Sequence, residues 1–295
     1  MSTSQIPPSE LILNADGSVY HLNLLPEHIA TTIITVGDPD RVDAITSYFD
    51  SIECTIHKRE FKTVTGSYKG KRLTVISTGI GTDNIDIVLN ELDALVNIDL
   101  ATRNQKETLT SLDIIRIGTS GAIQRDIPVD SFLMSKMAIG LDALLHFYDS
   151  THIQDVDFQK AFVNHMNWSR DKSKPYLVSC DSDLAAHFMS PAMIEGCTAT
   201  NIGFYAPQGR KLRLDTSDNE MNNKLESFRF RESKITNLEM ETSGIYGLAK
   251  LLGHRAISLN AILANRALKT FSSQAEKTTR ALIEYTLERI ITLEN

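Results

Sequence analysis

The chain has 295 residues, a formal net charge of −7 from 30 basic and 37 acidic side chains, and 42% hydrophobic residues. That length and apolar content are enough for one large α/β domain or two small ones, and the mild acidity excludes the basic face of a nucleic-acid binder. Cys54, Cys180 and Cys197 are odd in number and far apart, with neither metal-ligand spacing nor a disulfide framework, which points to a reducing compartment. The first 15 residues lack a positive segment followed by an apolar core, and no run of 18 apolar residues occurs. The reading therefore expects a cytoplasmic protein without signal peptide or membrane contact.

Residues 1–18 are polar, carry Pro7 and Pro8, and read as an N-terminal arm ahead of a single domain over 19–295. His21 follows in Tyr20-His21-Leu22-Asn23-Leu24, where a lone histidine is by itself an ordinary surface or packing residue. A β-branched run over 31–36, then Gly37-Asp38-Pro39-Asp40-Arg41, then Val42, Ile45 and Phe49 reads as strand, tight turn and helix. Asp38 suits the cap and Pro39 the first turn. The free N–H groups of that helix start suit an anion, with Arg41 close by, although any capped α/β turn looks partly like this.

His57-Lys58-Arg59-Glu60-Phe61 is a short basic cluster ending in an acid, and alone reads as a solvated surface strand. A strand over 72–77 exits through Ser77-Thr78-Gly79-Ile80-Gly81, and Asp83 or Asn84 opens a helix with Ile85, Val88, Leu92 and Leu95 on its apolar face. The third glycine of a dinucleotide turn is missing, since residue 84 is Asn. The polar stretch 97–111 reads as an extended surface connection or a short extra helix.

The segment 112–122, Leu-Asp-Ile-Ile-Arg-Ile-Gly-Thr-Ser-Gly-Ala, is an apolar β-branched run ending in two glycines that flank two hydroxyls. Arg116 breaks the run. A buried arginine is costly unless paired or meant for an anion, so it either presents its guanidinium to an anion beside the Gly-Thr-Ser-Gly turn or makes an ion pair near the strand end.

A strand over 130–137 follows, then an element of uncertain type over 141–149 and a polar, peripheral stretch over 152–174. A capped helix is expected over 181–189, and 198–202 is β-branched and polar. Phe204-Tyr205-Ala206-Pro207-Gln208-Gly209-Arg210 suits a loop that stacks on a planar ring and hydrogen-bonds its edge, the alternative being packed aromatics. Residues 211–233 are charged and flank this loop. Asn237 to Thr242 enter a helix with Met240, Ile245, Leu248 and Leu252 apolar and Gly253 as its stop. Glu239 and Glu241 near its start read as surface acids favoured by the helix dipole. A strand over 256–264 ends at Asn265-Arg266, and Ser272 or Ser273 opens the last helix.

Repeated βα steps imply one mixed sheet with helices on both faces, and ligands in such folds bind beyond the carboxyl ends of the strands. The turns at Gly37, Gly79 and Gly118 are then candidates for one anion pocket, with Arg41 and Arg116 meeting in it.

Gly37-Asp38-Pro39-Asp40-Arg41-Val42, His57 to Phe61, Ser77 to Gly81, Arg116 to Gln124, Leu141-Asp142, Leu238 to Thr242 and Ala264-Asn265-Arg266 together resemble the nucleoside phosphorylase family, in order and spacing over nearly the whole chain. The base loop 204–210 and Ala264-Asn265-Arg266 look like its uridine phosphorylase branch; purine-cleaving members carry an aspartate near position 265. The resemblance implies an α/β domain whose central mixed sheet is partly closed into a barrel. It implies a pentosyltransferase that turns uridine and phosphate into uracil and ribose 1-phosphate, without a covalent nucleophile. By resemblance, Gly37, Arg41, Arg116 and Thr119 bind phosphate, and Arg59 reaches the phosphate of a neighbouring subunit. Met240 and Glu241 hold the ribose, and His21 closes over a neighbour's 5′-hydroxyl. Gln208 and Arg210 read the uracil edge, with Phe204 stacked nearby. Arg116, Glu241, Gln208 and Arg210 are the expected catalytic set.

The resemblance further implies a homo-oligomer, with a dimer as minimum and a hexamer as three dimers in a ring. Phosphate is the co-substrate, no organic cofactor is needed, and in bacterial members the acid equivalent to Glu60 binds potassium between subunits. The chain departs from the pattern at Thr82-Asp83-Asn84, at Ala206-Pro207-Gln208-Gly209 and in the longer 97–111 segment. The alternatives are a purine or broad-specificity phosphorylase, a nucleosidase that uses water, and a non-catalytic nucleoside-binding protein of the same fold.

Overall fold

A computed structural model describes residues 5–293. In chain order its elements are β1 (Thr32–Val36), α1 (Pro39–Thr46), β2 (Ser51–Lys58), β3 (Phe61–Tyr68), β4 (Lys71–Ser77), α2 (Thr82–Asn97), β5 (Ile98–Asp99), β6 (Asn104–Gln105), β7 (Asp113–Ala122), β8 (Phe132–Gly140), α3 (Val156–Met166), β9 (Tyr176–Ser179), α4 (Ser182–Phe188), β10 (Met193–Thr200), α5 (Met221–Ser227), β11 (Arg229–Phe230), β12 (Ser233–Glu239), α6 (Thr242–Leu252), β13 (Arg255–Asn265), β14 (Thr270–Phe271) and α7 (Ala275–Ile291).

The main sheet has the order β11-β12-β10-β8-β13-β7-β1-β4-β3-β2, with β14 and β9 attached to β13 and β8. The end of β7 also pairs with β12, Gly121 with Leu238 and Ala122 with Asn237. That second partnership closes β7, β13, β8, β10 and β12 into a ring, the partly closed barrel expected from the resemblance. β1 runs parallel to β4 and β7, and β7 parallel to β13. The carboxyl ends of β1, β4 and β7, with their glycines, therefore open on one side.

The central strands form because Thr32–Val36 and most of Asp113–Ala122 are β-branched or small and buried, as a strand covered on both faces requires. Helices α2 and α6 pack one face, burying Ile85, Val88, Leu92, Leu95, Ile245 and Leu248. The other face lies under α1, α4 and α7, through Val42, Ile45, Leu184, Phe188, Leu282 and Leu287. Asp38 caps α1 by accepting from the Asp40 N–H at 3.0 Å, with Pro39 in the first turn. Gly253 ends α6 in the left-handed region at φ 81°. Both match the sequence reading.

Several expectations are corrected. Of the two readings of 97–111, the extended connection holds and the extra helix does not: after Asn97 ends α2 the chain forms the two-stranded hairpin β5–β6. The described part of the arm, 5–18, lies on that hairpin, with Ile6 N–H donating to the Arg103 carbonyl at 2.9 Å and Leu11 buried; residues 1–4 lie outside the described residues. The stretch 152–174 is not peripheral, because α3 buries Phe158, Phe162 and Met166 in a third core with Leu225 and Phe228. Their four-residue spacing is a helical stripe that a polar average hides. The uncertain element at 141–149 contains a short 3-10 turn at Leu144–Phe147. Helix α2 starts at Thr82 behind Gly81 with no side-chain cap, and α7 at Ala275, where Ser272 instead accepts from the Gln274 N–H at 3.0 Å. No helix of the described residues is long and apolar enough to cross a membrane.

Candidate active site

Arg116 is 5% exposed on β7. Its guanidinium folds back over Gly118, where an added Cβ would collide with it, so a side chain at 118 would displace the guanidinium from this position. One Nη1 donates to Asn260 Oδ1 at 3.0 Å and Ser258 Oγ at 3.4 Å on the adjoining β13. The Nη2 donates to Glu241 Oε2 at 2.6 Å and lies 3.3 Å from Glu239 Oε2. Burial opposes the positive charge, but the two carboxylates outweigh it and hold the guanidinium above its ordinary value.

Glu239 and Glu241 are therefore not the surface acids the sequence suggests: both are buried. Asn237 to Glu239 end strand β12, and the helix begins only at Thr242, with half-buried Met240 in the turn between. Glu239 caps α6 from the strand end. Its Oε2 accepts from the N–H groups of Glu241 and Thr242 and from the Thr242 hydroxyl, each at 2.9 Å, and its Oε1 from the Thr200 hydroxyl at 2.6 Å. Glu241 has Oε1 on the Gly81 N–H at 2.9 Å, at the positive end of α2. Burial pushes the Glu241 carboxyl up, Arg116 pulls it down, and the like charge of Glu239 pushes it up again, leaving it above its ordinary value.

This geometry sets a pH test. The resemblance gives Glu241 the sugar hydroxyls, which its ionised form would accept from, and on that expectation protonating it at low pH should remove activity. With both substrates saturating, the acid limb of kcat should lie above the usual carboxylate pKa of about 4.3. Glu239→Gln removes the like charge while an amide oxygen can still cap α6. The limb should then move to lower pH, and a limb unmoved or moved upward would show that Glu239 does not set the Glu241 proton affinity.

Gly37 sits at the end of β1 against the Gly79 carbonyl, where an added Cβ would lie 3.6 Å from that oxygen. Arg41, one turn into α1, is half-buried and reaches the Ile117 carbonyl at 3.5 Å. Burial lowers its pKa, the nearby Arg116 adds to this, and Asp38 and Glu241 offset part of it. Arg41 and Arg116 lie close enough to repel each other, and half-buried Thr119 follows Arg116 on β7. The structure thus brings together Arg41, Arg116 and Glu241, with Gly37 and Met240 on the flanking turns; Gly118-Thr119-Ser120-Gly121, expected to be a turn, instead continues strand β7, paired with β13.

The loop after β10 forms a second group. Gln208 is 2% exposed, and Arg210 donates from Nη1 to Gln208 Oε1 at 2.5 Å and to the Phe204 carbonyl at 2.7 Å. The Arg210 guanidinium lies over the Phe204 ring, 3.7 Å from its centroid, so one face of that ring is taken. Arg266, which the sequence reading noted but gave no role, joins this loop to β7. Its stem packs on Gly121 and its Nη2 donates to the Gly209 carbonyl at 3.4 Å. The buried Arg266 Nη1 has no hydrogen-bond partner among the described residues. Burial and the Arg266 charge push Arg210 down to about 10. Asn265 is structural, with its amide donating to the Gln124 and Ile127 carbonyls at 2.9 and 2.8 Å.

His21 and Arg59 are not joined to these groups within the chain; they meet each other through Tyr20. The Tyr20 ring stands edge-on to His21 at 4.9 Å and under the Arg59 guanidinium at 5.8 Å. Arg59 is exposed at the β2–β3 turn with φ 57°. Exposed Glu60 neighbours Asn84 across Gly79, and the Asn84 amide donates to the Ile80 carbonyl at 3.5 Å. The chain so offers one carboxylate there, beside an amide donor.

Residues 31–291 match the family model described as the phosphorylase superfamily. The chain is 29% identical over 265 residues to a uridine phosphorylase of Thermococcus kodakarensis, an alignment covering 89% of this chain and 83% of the relative. It is 27% identical over 283 residues to a DeoD-type purine nucleoside phosphorylase of Shewanella loihica, covering 92% of this chain and 98% of the relative. The crystal structure of a Trypanosoma brucei nucleoside phosphorylase that shows uridine phosphorylase activity superposes with a TM-score of 0.86 at 29% identity, over 96% of this chain and all of that one (100%).

Proposed function

The chain belongs to the phosphorylase superfamily, and on that premise we propose that it cleaves uridine with phosphate to give uracil and ribose 1-phosphate. The observation that carries the choice of base is the donor-rich loop. Gln208, Arg210 and Arg266 converge there, and Arg266 Nη1 is buried without an acceptor among the described residues. Such a site suits a ring edge of carbonyl oxygens that gains negative charge as it leaves. A purine needs a proton donor at its ring nitrogen, and neither Asn265 nor Arg266 is an acid. The purine reading keeps support from the DeoD-type relative.

The reaction follows from charge. As the N-glycosidic bond lengthens, the sugar becomes cationic and the base anionic. Phosphate held by Arg41, Arg116 and Thr119 stabilises the sugar cation and attacks C1′. Glu241 and Met240 fix the ribose, and Glu241 also aligns Arg116 through their 2.6 Å bond. Arg210 and Arg266 stabilise the leaving base. Preorganised charge and orientation supply the catalysis. Nucleosidase chemistry needs no phosphate site, so paired Arg41 and Arg116 favour phosphorolysis over water. Incubating the protein with uridine, cytidine and inosine, each with phosphate, tests the assignment: uridine should be consumed fastest, and faster inosine cleavage would move the chain to the purine branch.

The same reading makes the active unit a homo-oligomer, at least a dimer, in the cytoplasm. Arg59 and His21 complete a neighbour's site. A potassium ion between subunits would use Glu60 together with oxygens from the neighbour. Mixing inactive Arg59→Ala subunits with inactive Arg116→Ala subunits should restore complete sites, roughly a quarter of the wild-type number for random dimers. Full activity in a monomer would refute sharing.

A further inference from the structure

Glu91 lies on the third turn of α2 and grips the segment that carries His21. Its Oε1 is 2.6 Å from His21 Nδ1. The His21 N–H donates to both carboxylate oxygens at 2.9 and 3.1 Å, and the Leu22 N–H donates to Oε2 at 2.8 Å. One carboxylate so fixes two backbone groups and one ring nitrogen, 70 residues away in the chain. The clamp is seated on a rigid base, because α2 buries Val88, Leu89, Leu92 and Leu95 around it. From the other side Lys58 Nζ donates to the Tyr20 carbonyl at 2.6 Å, and the Tyr20 ring borders the imidazole.

A carboxylate only accepts hydrogen bonds, so the proton of a neutral His21 must be on Nδ1. Nε2 then carries the lone pair, and it makes no hydrogen bond among the described residues. The position is also informative. Gly81, at the start of α2, touches Glu241 of this chain's own ribose group, whereas Glu91 is ten residues further, about 15 Å along the helix axis. His21 is therefore held away from its own Glu241, on the same face as Arg59.

We propose that Glu91 is the positioning residue for recognition of the sugar 5′-hydroxyl: it holds His21 as the Nδ1–H tautomer, with Nε2 turned outward to accept from the 5′-hydroxyl of a nucleoside in an adjoining subunit. This rests on the shared-site reading above. No residue previously assigned to the site accounts for why His21 presents an acceptor, and the Glu91 carboxylate does so directly.

The test compares uridine with 5′-deoxyuridine, which lacks only the hydroxyl in question. The wild-type protein should favour uridine in kcat/KM by roughly tenfold, the worth of one net hydrogen bond. His21→Ala should abolish that preference. Glu91→Ala should shrink it to nearly the His21→Ala value, with a far smaller loss on 5′-deoxyuridine, and the double variant should lose little more. Nitrogen-15 shifts of His21 report the tautomer independently: Nδ1-protonated in the wild type, and mixed or Nε2-protonated in Glu91→Ala. If His21→Ala keeps the preference, the shared-site reading fails, and this inference with it. If His21→Ala loses it while Glu91→Ala keeps it, or lowers both substrates equally, or leaves the tautomer unchanged, the positioning role is overturned and the shared site stands.

Discussion

Replacing Arg116 with alanine is expected to lower kcat/KM for phosphate roughly a hundredfold or more, the loss of a charge-assisted contact of about 3 kcal/mol in the transition state. The fold is expected to suffer as well. Arg116 is the countercharge for Glu239 and Glu241, both buried. Removing one partner of a buried ion pair typically costs about 3–5 kcal/mol of stability. The variant should therefore melt lower as well as turn over slowly. Arg116→Lys separates the two effects, because it keeps a charge but loses the planar fork; it should recover stability more than activity. Wild-type efficiency of Arg116→Ala at limiting phosphate would end the assignment of Arg116 to the anion.

The second large effect is on base choice. Gln208 Oε1 already accepts from Arg210, and its second lone pair is open to a ring N–H. The Gln208 amide and the free guanidinium N–H groups of Arg210 and Arg266 offer donors. Uracil supplies carbonyl oxygens and one ring N–H, so the two edges match. Cytosine sets an amino group against those donors and leaves buried groups unpaired. Where such a mismatch is fully buried, discrimination reaches roughly 10⁴-fold. Cytidine should therefore be a very poor substrate beside uridine. Gln208→Ala should lower efficiency on uridine and narrow the uridine-to-cytidine ratio while leaving the KM for phosphate near its wild-type value. An unchanged ratio would remove Gln208 from base recognition. Deoxyuridine and thymidine keep the matched edge and should be cleaved in part.

Much of this was legible in local patterns. The β-branched runs before Gly37 and Gly79 mark buried strands that end in tight turns, and Asp38-Pro39 marks a helix start in any context. The run before Gly118 also marks a buried strand, but the strand continues to Ala122 because β13 and β12 pair with its glycine-rich end. Arg116 stood out because a charge inside an apolar strand demands a partner. What spacing could not show was the identity of that partner. Glu241 lies 125 residues away in sequence, and only the closure of β12 onto β7 brings the two together. Without that contact, acids near a helix start read as surface residues. The stripe Phe158, Phe162 and Met166 was diluted by its polar neighbours, although its spacing was visible. Arg266 belonged to a motif that carries the resemblance, but spacing gave it no role, since its place is set by Gly121 beneath its stem and Gly209 beside its guanidinium. Glu91 was likewise one more acid on a solvated helix face until the fold laid His21 across it.

The central claim is that phosphate, not water, takes the sugar. The most direct measurement follows uridine by ultraviolet absorbance and phosphorus by ³¹P NMR in one sample of the purified protein. Uracil should form only when phosphate is present, and each uracil should be matched by one ribose 1-phosphate. Uracil released at the same rate without phosphate, with free ribose as the co-product, would contradict the account and make the chain a nucleosidase.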